Sequence, residues 1–117
     1  MAKLPGRYEN FRAEFPVIGG AYDELAGLAA KAGPIDEKTA QLVKLGMAIA
    51  ACLEGAVHSH ARRALEAGAT REEIRHVGLL ALTTVGFPRM IAGLSWIDDV
   101  VKGGLGGKRR AESKMRR

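Results

Sequence analysis

The residues best suited to chemistry lie in one short segment, CLEGAVHSH, from Cys52 to His60. Cys52 is the only cysteine among 117 residues, so the chain has no disulfide framework and no cysteine-rich zinc site. A lone thiol also lacks the second sulfur that disulfide exchange requires. His60 can move a proton near neutral pH, because the pKa of a histidine lies close to that range. General acid–base chemistry is therefore one activity that His60 could carry, although a lone inward histidine is more often a core residue with its hydrogen bonds satisfied.

The histidines differ in the surroundings that we expect for them. Residues two positions apart on a helix point about 200° apart, so His58 and His60 are not expected to share a metal ion, and neither a metal nor another cofactor is predicted. His58 shares its face with Glu54 and Arg62, which indicates a solvated surface. His60 lies beside an apolar stripe and is predicted to point inward. His76 has no evident partner and is predicted to lie on the surface.

The elements that position these residues are predicted to be helices, since no segment alternates apolar and polar residues with a period of two. Pro16 and the pair Gly19-Gly20 are expected to separate a short N-terminal segment from a helix over about residues 21–32. Asp36 is a candidate N-cap for the next helix. That helix is apolar almost all round, which predicts a buried central helix.

The later helices are marked by their capping residues. Thr70 and Glu73 have the spacing of a capping box, and Pro88 suits the first turn of the last helix. The three helices are predicted over about residues 56–67, over about residues 71–85, and from about Pro88 to the pair Gly103-Gly104.

Residues 52–88 read CLEGAVHSHARRALEAGATREEIRHVGLLALTTVGFP and resemble the carboxymuconolactone decarboxylase and alkylhydroperoxidase D-like family. The resemblance rests on His60 eight residues before Gly68, followed by Ala-Thr, Glu-Glu-Ile and the Gly-x-Pro of residues 86–88. The preceding DEKTAQLVKLGMAIA resembles the family's lead-in helix, so the likeness covers about residues 8–101. It implies an all-α, alkylhydroperoxidase D-like helical bundle of five to six helices over residues 1–101. It also implies assembly into a homo-trimer or homo-hexamer.

The sequence departs from the family's peroxidase pattern at its cysteines. Peroxidase members carry Cys-x-x-Cys-x-x-x-His, with a Glu about three turns before the first Cys. The matching positions here hold Leu53, Ala56 and, in place of the Glu, Gln41, so that only His60 is kept. Cys52 lies one residue, or about 100° of helix, from the first of these positions, and we expect it to be a buried structural cysteine. On a continuous helix it would nevertheless share a stripe with Gln41.

The decarboxylase branch of the family lacks the cysteines, and its His-x-Arg-Ala-Ala motif is similar to HARRAL, residues 60–65. The resemblance favours a lyase-like reaction on a small carboxylate or lactone, with His60 as proton donor and Gln41 holding a carbonyl. Arg62 or Arg63 could attract an anionic substrate. The predicted substrate pocket is lined by Leu53, Ala56, Cys52 and Trp96.

Two alternatives stay open, and whether the protein is an enzyme stays open with them. The first is an alkylhydroperoxidase-like antioxidant activity, of the peroxiredoxin type, that uses Cys52. The second is a member that binds a ligand or partner without catalysis. Trp96, the only tryptophan, could cover the pocket, lie at a subunit contact or belong to the core.

The net charge of +5 comes from the C-terminal segment. Residues 102–117 contain seven Lys or Arg and one Glu, whereas the rest of the chain is close to neutral. This basic, Gly-rich tail is predicted to be disordered and to make at most non-specific contacts with nucleic acid. The sequence shows no secretory signal and no apolar stretch long enough to span a bilayer. We therefore expect a cytoplasmic protein that does not enter membranes.

Overall fold

The computed structural model describes residues 6–102, with side chains from residue 9 onward. No strand occurs within this part of the chain, which confirms the predicted all-α fold. A short 3-10 turn follows the fifth helix, at Ala81–Thr83. The six α-helices are α1 (Gly6–Glu14), α2 (Pro16–Lys31), α3 (Glu37–Ala50), α4 (Glu54–Glu66), α5 (Arg71–Leu80) and α6 (Phe87–Val101).

Side-chain caps fix the starts of α3 and α5. The Thr39 backbone N–H donates to Asp36 Oδ1 at 2.8 Å, as the sequence predicts for an N-cap. At α5, the Glu73 N–H donates to Thr70 Oγ1 at 3.0 Å and the Thr70 N–H donates to Glu73 Oε1 at 2.9 Å, which completes the capping box. Lys38 Nζ lies 3.2 Å from Glu73 Oε2, so an ion pair links the starts of the two helices. The predicted caps are therefore confirmed.

The hydrophobic core lies among α3, α4, α5 and α6, which pack on one another. α6 crosses α3 closely at Gly93, where an added Cβ would lie 2.8 Å from Ile49 Cγ2. The largest fully buried side chains are Leu45, Ile49, Ile74, Ile97, Val57 and Val101.

Several predicted boundaries were wrong. α2 begins at Pro16 and continues through Gly19-Gly20. Gly19 is buried against α1, where an added Cβ would lie 3.2 Å from Arg12 Cγ, so this glycine permits close helix packing and does not break the helix. α5 ends at Leu80 and not near Val85, because the chain tightens into the 3-10 turn.

The prediction that the central helix α3 is buried all round was wrong. It buries Gln41, Leu45, Ala48 and Ile49, whereas Val43 and Met47 are 43% and 65% exposed. The reason is that α4, α5 and α6 cover only one side of α3.

α2 packs mainly against α1 and lies largely outside the core. A row of large apolar side chains on α2 is consequently exposed: Val17, Ile18, Tyr22, Leu25 and Leu28. Such a row is unusual for a helix that has only water as its neighbour.

No helix in the described residues is both long enough and apolar enough to cross a membrane. The predicted helix stop at Gly103-Gly104 and the tail beyond it lie outside the described residues. α6 itself ends at Val101.

Candidate functional site

His60 and Gln41 meet at the centre of the candidate site. His60 lies in the middle of α4, and its Nδ1 is 2.8 Å from Gln41 Oε1 in the first half of α3. Gln41 is the one buried polar side chain among the described residues, with 4% exposure, and His60 is half-buried. The turn between α3 and α4 folds the two helices against each other and brings the pair together.

Glu37 fixes the orientation of the Gln41 amide. Gln41 Nε2 donates to Glu37 Oε2 at 3.0 Å, and a carboxylate only accepts. The amide oxygen must therefore face His60, and since an amide oxygen also only accepts, His60 Nδ1 carries the hydrogen. In the neutral ring the lone pair is consequently on Nε2.

Nε2 of His60 is open to a ligand. No hydrogen bond in the described part of the chain uses this nitrogen. No buried side-chain nitrogen or oxygen there lacks a partner, so Nε2 must be reached by solvent. The site thus presents one oriented basic nitrogen.

The surroundings of His60 favour the neutral ring. Burial lowers the pKa of His60 below its usual value, and the positive charges of Arg63 and Lys44 lower it further. The resting imidazole is therefore a base at neutral pH, whereas the sequence suggested a proton donor. The same two cations would attract an anion to this part of the surface, and an anion beside Nε2 would raise the pKa again.

The sequence model of the carboxymuconolactone decarboxylase family matches residues 16–99. This chain belongs to that family. The crystal structure of apo-lpg0406, a carboxymuconolactone decarboxylase family protein from Legionella pneumophila, is similar to it with a TM-score of 0.67 and 26% sequence identity. The match covers 83% of this chain and 89% of that chain. A comparison with curated protein sequences gave no significant match.

This family member differs from the sequence-based expectations most clearly at Cys52. The expected buried cysteine is exposed and lies in the turn after α3, in the left-handed region at φ 59°. Because α3 ends at Ala50, the stripe that contains Gln41 does not continue to Cys52. Nine residues of helix rise about 13 Å, so the end of α3, where the turn with Cys52 begins, lies about that far from Gln41 along the helix axis.

The other predicted pocket residues are spread along α4 and α6. Ala56 lies one turn before His60 and is partly buried against the core, as is Trp96 on α6. Leu53 precedes the first turn of α4 and is 54% exposed. The structure brings Gln41 to His60 by a direct hydrogen bond, but it shows no such bond for these three residues.

Two apolar grooves border α3, and His60 lines neither of them. One, of about 360 Å³, lies against α5 and the 3-10 turn. The other, of about 310 Å³, lies between α3 and the end of α2. Lys44 lines the second groove and also lowers the pKa of His60.

The expectation that His58 lies on a solvated face was wrong. Its Nε2 is 3.0 Å from Asp99 Oδ2 on α6, and both side chains are 26% exposed. His76 is exposed on α5, as predicted. Arg63 is exposed and Arg62 is half-buried.

Sequence reasoning missed Glu37, Lys44 and Asp99. Glu37 could have been found, because it lies one helical turn before Gln41 on the same face. Lys44 could have been found in the same way, because it lies three residues after Gln41 on the same helix. Asp99 had none, since its approach to α4 depends on how α6 packs.

Proposed function

We propose that this family member performs general acid–base chemistry without a cysteine, on a small carboxylate or lactone, and that Nε2 of His60 moves the proton. The observation that supports this most strongly is the chain of hydrogen bonds from Glu37 through Gln41 to His60. It holds the ring in one tautomer and one orientation, which proton transfer requires.

A decarboxylation fits this arrangement as follows. The bond between the carboxylate carbon and the ring carbon breaks, carbon dioxide leaves, and the electron pair moves onto the lactone carbonyl as a dienolate. Protonated His60 then gives its Nε2 proton to carbon, and the neutral ring takes up a proton from water. Binding of the anionic substrate raises the pKa of His60, so that the ring is protonated while the substrate is bound.

Gln41 acts in this proposal as a positioning residue. Its oxygen accepts from His60 and its nitrogen donates to Glu37, so the amide is already used by the protein. The earlier suggestion that Gln41 holds a substrate carbonyl therefore has less support than a role in orienting the imidazole.

The redox alternative has little support. Cys52 lies on the turn, far along α3 from Gln41, and the described residues contain no other cysteine. Leu53 and Ala56 stand at the positions where peroxidase members carry sulfur. A thiolate at Cys52 would thus need a resolving thiol from another molecule.

We also propose that the protein is a homo-oligomer, as its family resemblance implies. The apolar row on α2 and the exposed Val43 and Met47 on α3 have no cover among the residues that the structure describes. A second copy would bury them, and a 12.5 kDa chain has only a small core of its own. A trimer or a hexamer would bury these apolar side chains.

The test is turnover of an unsaturated lactone carboxylate, measured as released carbon dioxide. His60→Gln is expected to lower kcat by at least about 100-fold, because a positioned acid or base contributes about that much. Gln41→Leu should lower kcat less and leave the substrate affinity nearly unchanged, and Cys52→Ser should turn over like the wild type.

Turnover that survives His60→Gln would overturn the proposal. Peroxide-dependent oxidation of the thiol that is lost in Cys52→Ser would favour the redox alternative instead. If the wild type binds such acids but converts none of them, the non-catalytic alternative is correct.

A further inference from the structure

A second cluster of side chains that can bind a metal ion lies where α4 meets α6. Glu54, His58 and Asp99 each offer one ligand atom, and the three atoms lie within 4.8 Å of one another. His58 Nε2 and Asp99 Oδ2 are already 3.0 Å apart. We propose that these three residues form a binding site for a divalent transition metal ion of the zinc type.

The helical spacing explains why the ligands converge. Glu54 and His58 are four residues apart on α4, so their side chains lie one above the other on the same face. Asp99 reaches them from α6, which packs directly against α4. Two ligands from one helix and a third from its neighbour enclose one side of an ion.

The distances suit an ion of this size. Zinc binds histidine nitrogen and carboxylate oxygen at about 2.0–2.2 Å, which places neighbouring ligand atoms about 3–3.5 Å apart. His58 and Asp99 already satisfy this spacing. Glu54 is exposed, so its side chain can rotate the remaining distance without disturbing the core.

The donor set selects the class of metal. One imidazole nitrogen with two carboxylate oxygens suits zinc, manganese, iron or cobalt, whereas magnesium and calcium prefer oxygen alone. The two carboxylates balance the charge of a divalent ion. Three protein ligands leave at least one position for water or another molecule, as in zinc sites that do chemistry.

This site is separate from the one at His60. His58 and His60 point about 200° apart on α4, and their partners lie on different helices, α6 and α3. The inference therefore does not rest on the proposed acid–base function. The sequence places Glu54 one helical turn before His58, but it does not indicate the third ligand, because the approach of Asp99 depends on how α6 packs against α4.

The experiment uses the full chain, freed of metal with a chelator and titrated with Co²⁺. We expect a visible absorption spectrum that saturates at one cobalt per chain and is abolished by added Zn²⁺. Glu54→Gln is the informative variant, since the hydrogen bond between His58 and Asp99 does not involve Glu54. It should weaken cobalt binding at least tenfold while the melting temperature of the metal-free protein stays the same.

Two further variants make the result specific. His58→Gln should abolish saturable binding, whereas His76→Gln, which removes an exposed histidine on α5, should bind cobalt like the wild type. No saturable binding to the wild type would overturn the proposal and leave an ion pair that only joins α4 to α6. Binding that is unchanged in both Glu54→Gln and His58→Gln would overturn it equally.

Discussion

Gln41 and His60 are 19 positions apart in the chain, and the 2.8 Å contact between their side chains decides which ring nitrogen of His60 faces outward. Glu37 fixes the orientation of the Gln41 amide, because its carboxylate accepts a hydrogen bond from the amide nitrogen. An amide that could face either way would leave the tautomer of His60 undetermined. With Glu37 in place, only one arrangement satisfies all three side chains.

The charge at position 41 should control the pKa of His60. We expect the double variant Glu37→Gln, Gln41→Glu to raise this pKa by about one unit or more, because it places a carboxylate beside the ring and leaves an amide at position 37 to donate to that carboxylate. The measurement is an NMR titration of the His60 ring proton on Cε1. The control is the same titration of His60→Gln, in which the signal assigned to His60 should be absent. A His60 pKa that stays the same or falls in the variant would contradict the contact.

The lowered pKa of His60 predicts how stability depends on pH. Above about pH 6.5 the ring is neutral in both the folded and the unfolded chain, so His60 contributes no pH dependence. As the pH falls below that value, the unfolded chain binds the proton more readily, and the free energy of unfolding decreases until the pH passes the folded-state pKa. Urea unfolding should show that the free energy of unfolding falls more between pH 7.5 and pH 5.5 for the wild type than for His60→Gln. Equal losses would show that the surroundings of His60 do not disfavour its charge.

Gly93 should tolerate no side chain. Its Cβ would lie 2.8 Å from Ile49 Cγ2, and Ile49 is 1% exposed and cannot move aside. We expect Gly93→Ala to lower the free energy of unfolding by about 1–3 kcal/mol, despite the better helix propensity of alanine. Gly46→Ala is the matched control in α3, since its Cβ would meet Val77 Cγ1 at an ordinary 3.7 Å. The free energy of unfolding of Gly46→Ala should equal that of the wild type or exceed it by up to about 1 kcal/mol.

The exposed row on α2 should hold the assembly together. Leu25 is 62% exposed, and Leu25→Lys would put a charge into the surface that we expect a second copy to bury. The expected result in sedimentation velocity is dissociation of the wild-type oligomer into smaller species. Glu24→Lys, a larger change of charge at the neighbouring exposed position, should leave the oligomer intact. A wild type that sediments as a monomer would contradict the assembly itself.

Cys52 should be replaceable by glycine with a gain in stability. Its backbone lies in the left-handed region, where a side chain costs about 1 kcal/mol and glycine costs nothing. Because the thiol is exposed, little packing is lost. Thermal and urea unfolding should therefore show Cys52→Gly to be the more stable by about 1 kcal/mol, with turnover unchanged. A loss of turnover would show that the thiol takes part in the reaction.

The parts of the structure that sequence predicted are those set by neighbours along the chain. Asp36 and the pair of Thr70 and Glu73 were identifiable as caps, because capping depends on residues three positions apart. The family of the chain was identifiable for the same reason, from motifs in one continuous segment. His60 was identified by its place in those motifs, and its contact with Gln41 is a finding of the structure.

The parts that sequence did not predict depend on packing between helices. The continuity of α2 through Gly19 follows from its contact with Arg12 on α1. The left-handed turn at Cys52 ended a stripe that would have continued on an ideal helix. The approach of Asp99 to His58 required α6 to lie across α4, which no spacing within either helix could indicate.

Glu37, Gln41 and His60 lie close together in the sequence, and this has a consequence for folding. All three side chains belong to one pair of successive helices joined by a turn of three residues, Ala51 to Leu53. Closing such a short loop costs little entropy, and contacts of low sequence separation form quickly. We therefore expect the imidazole to reach its orientation early, as soon as this hairpin closes, and before α6 docks.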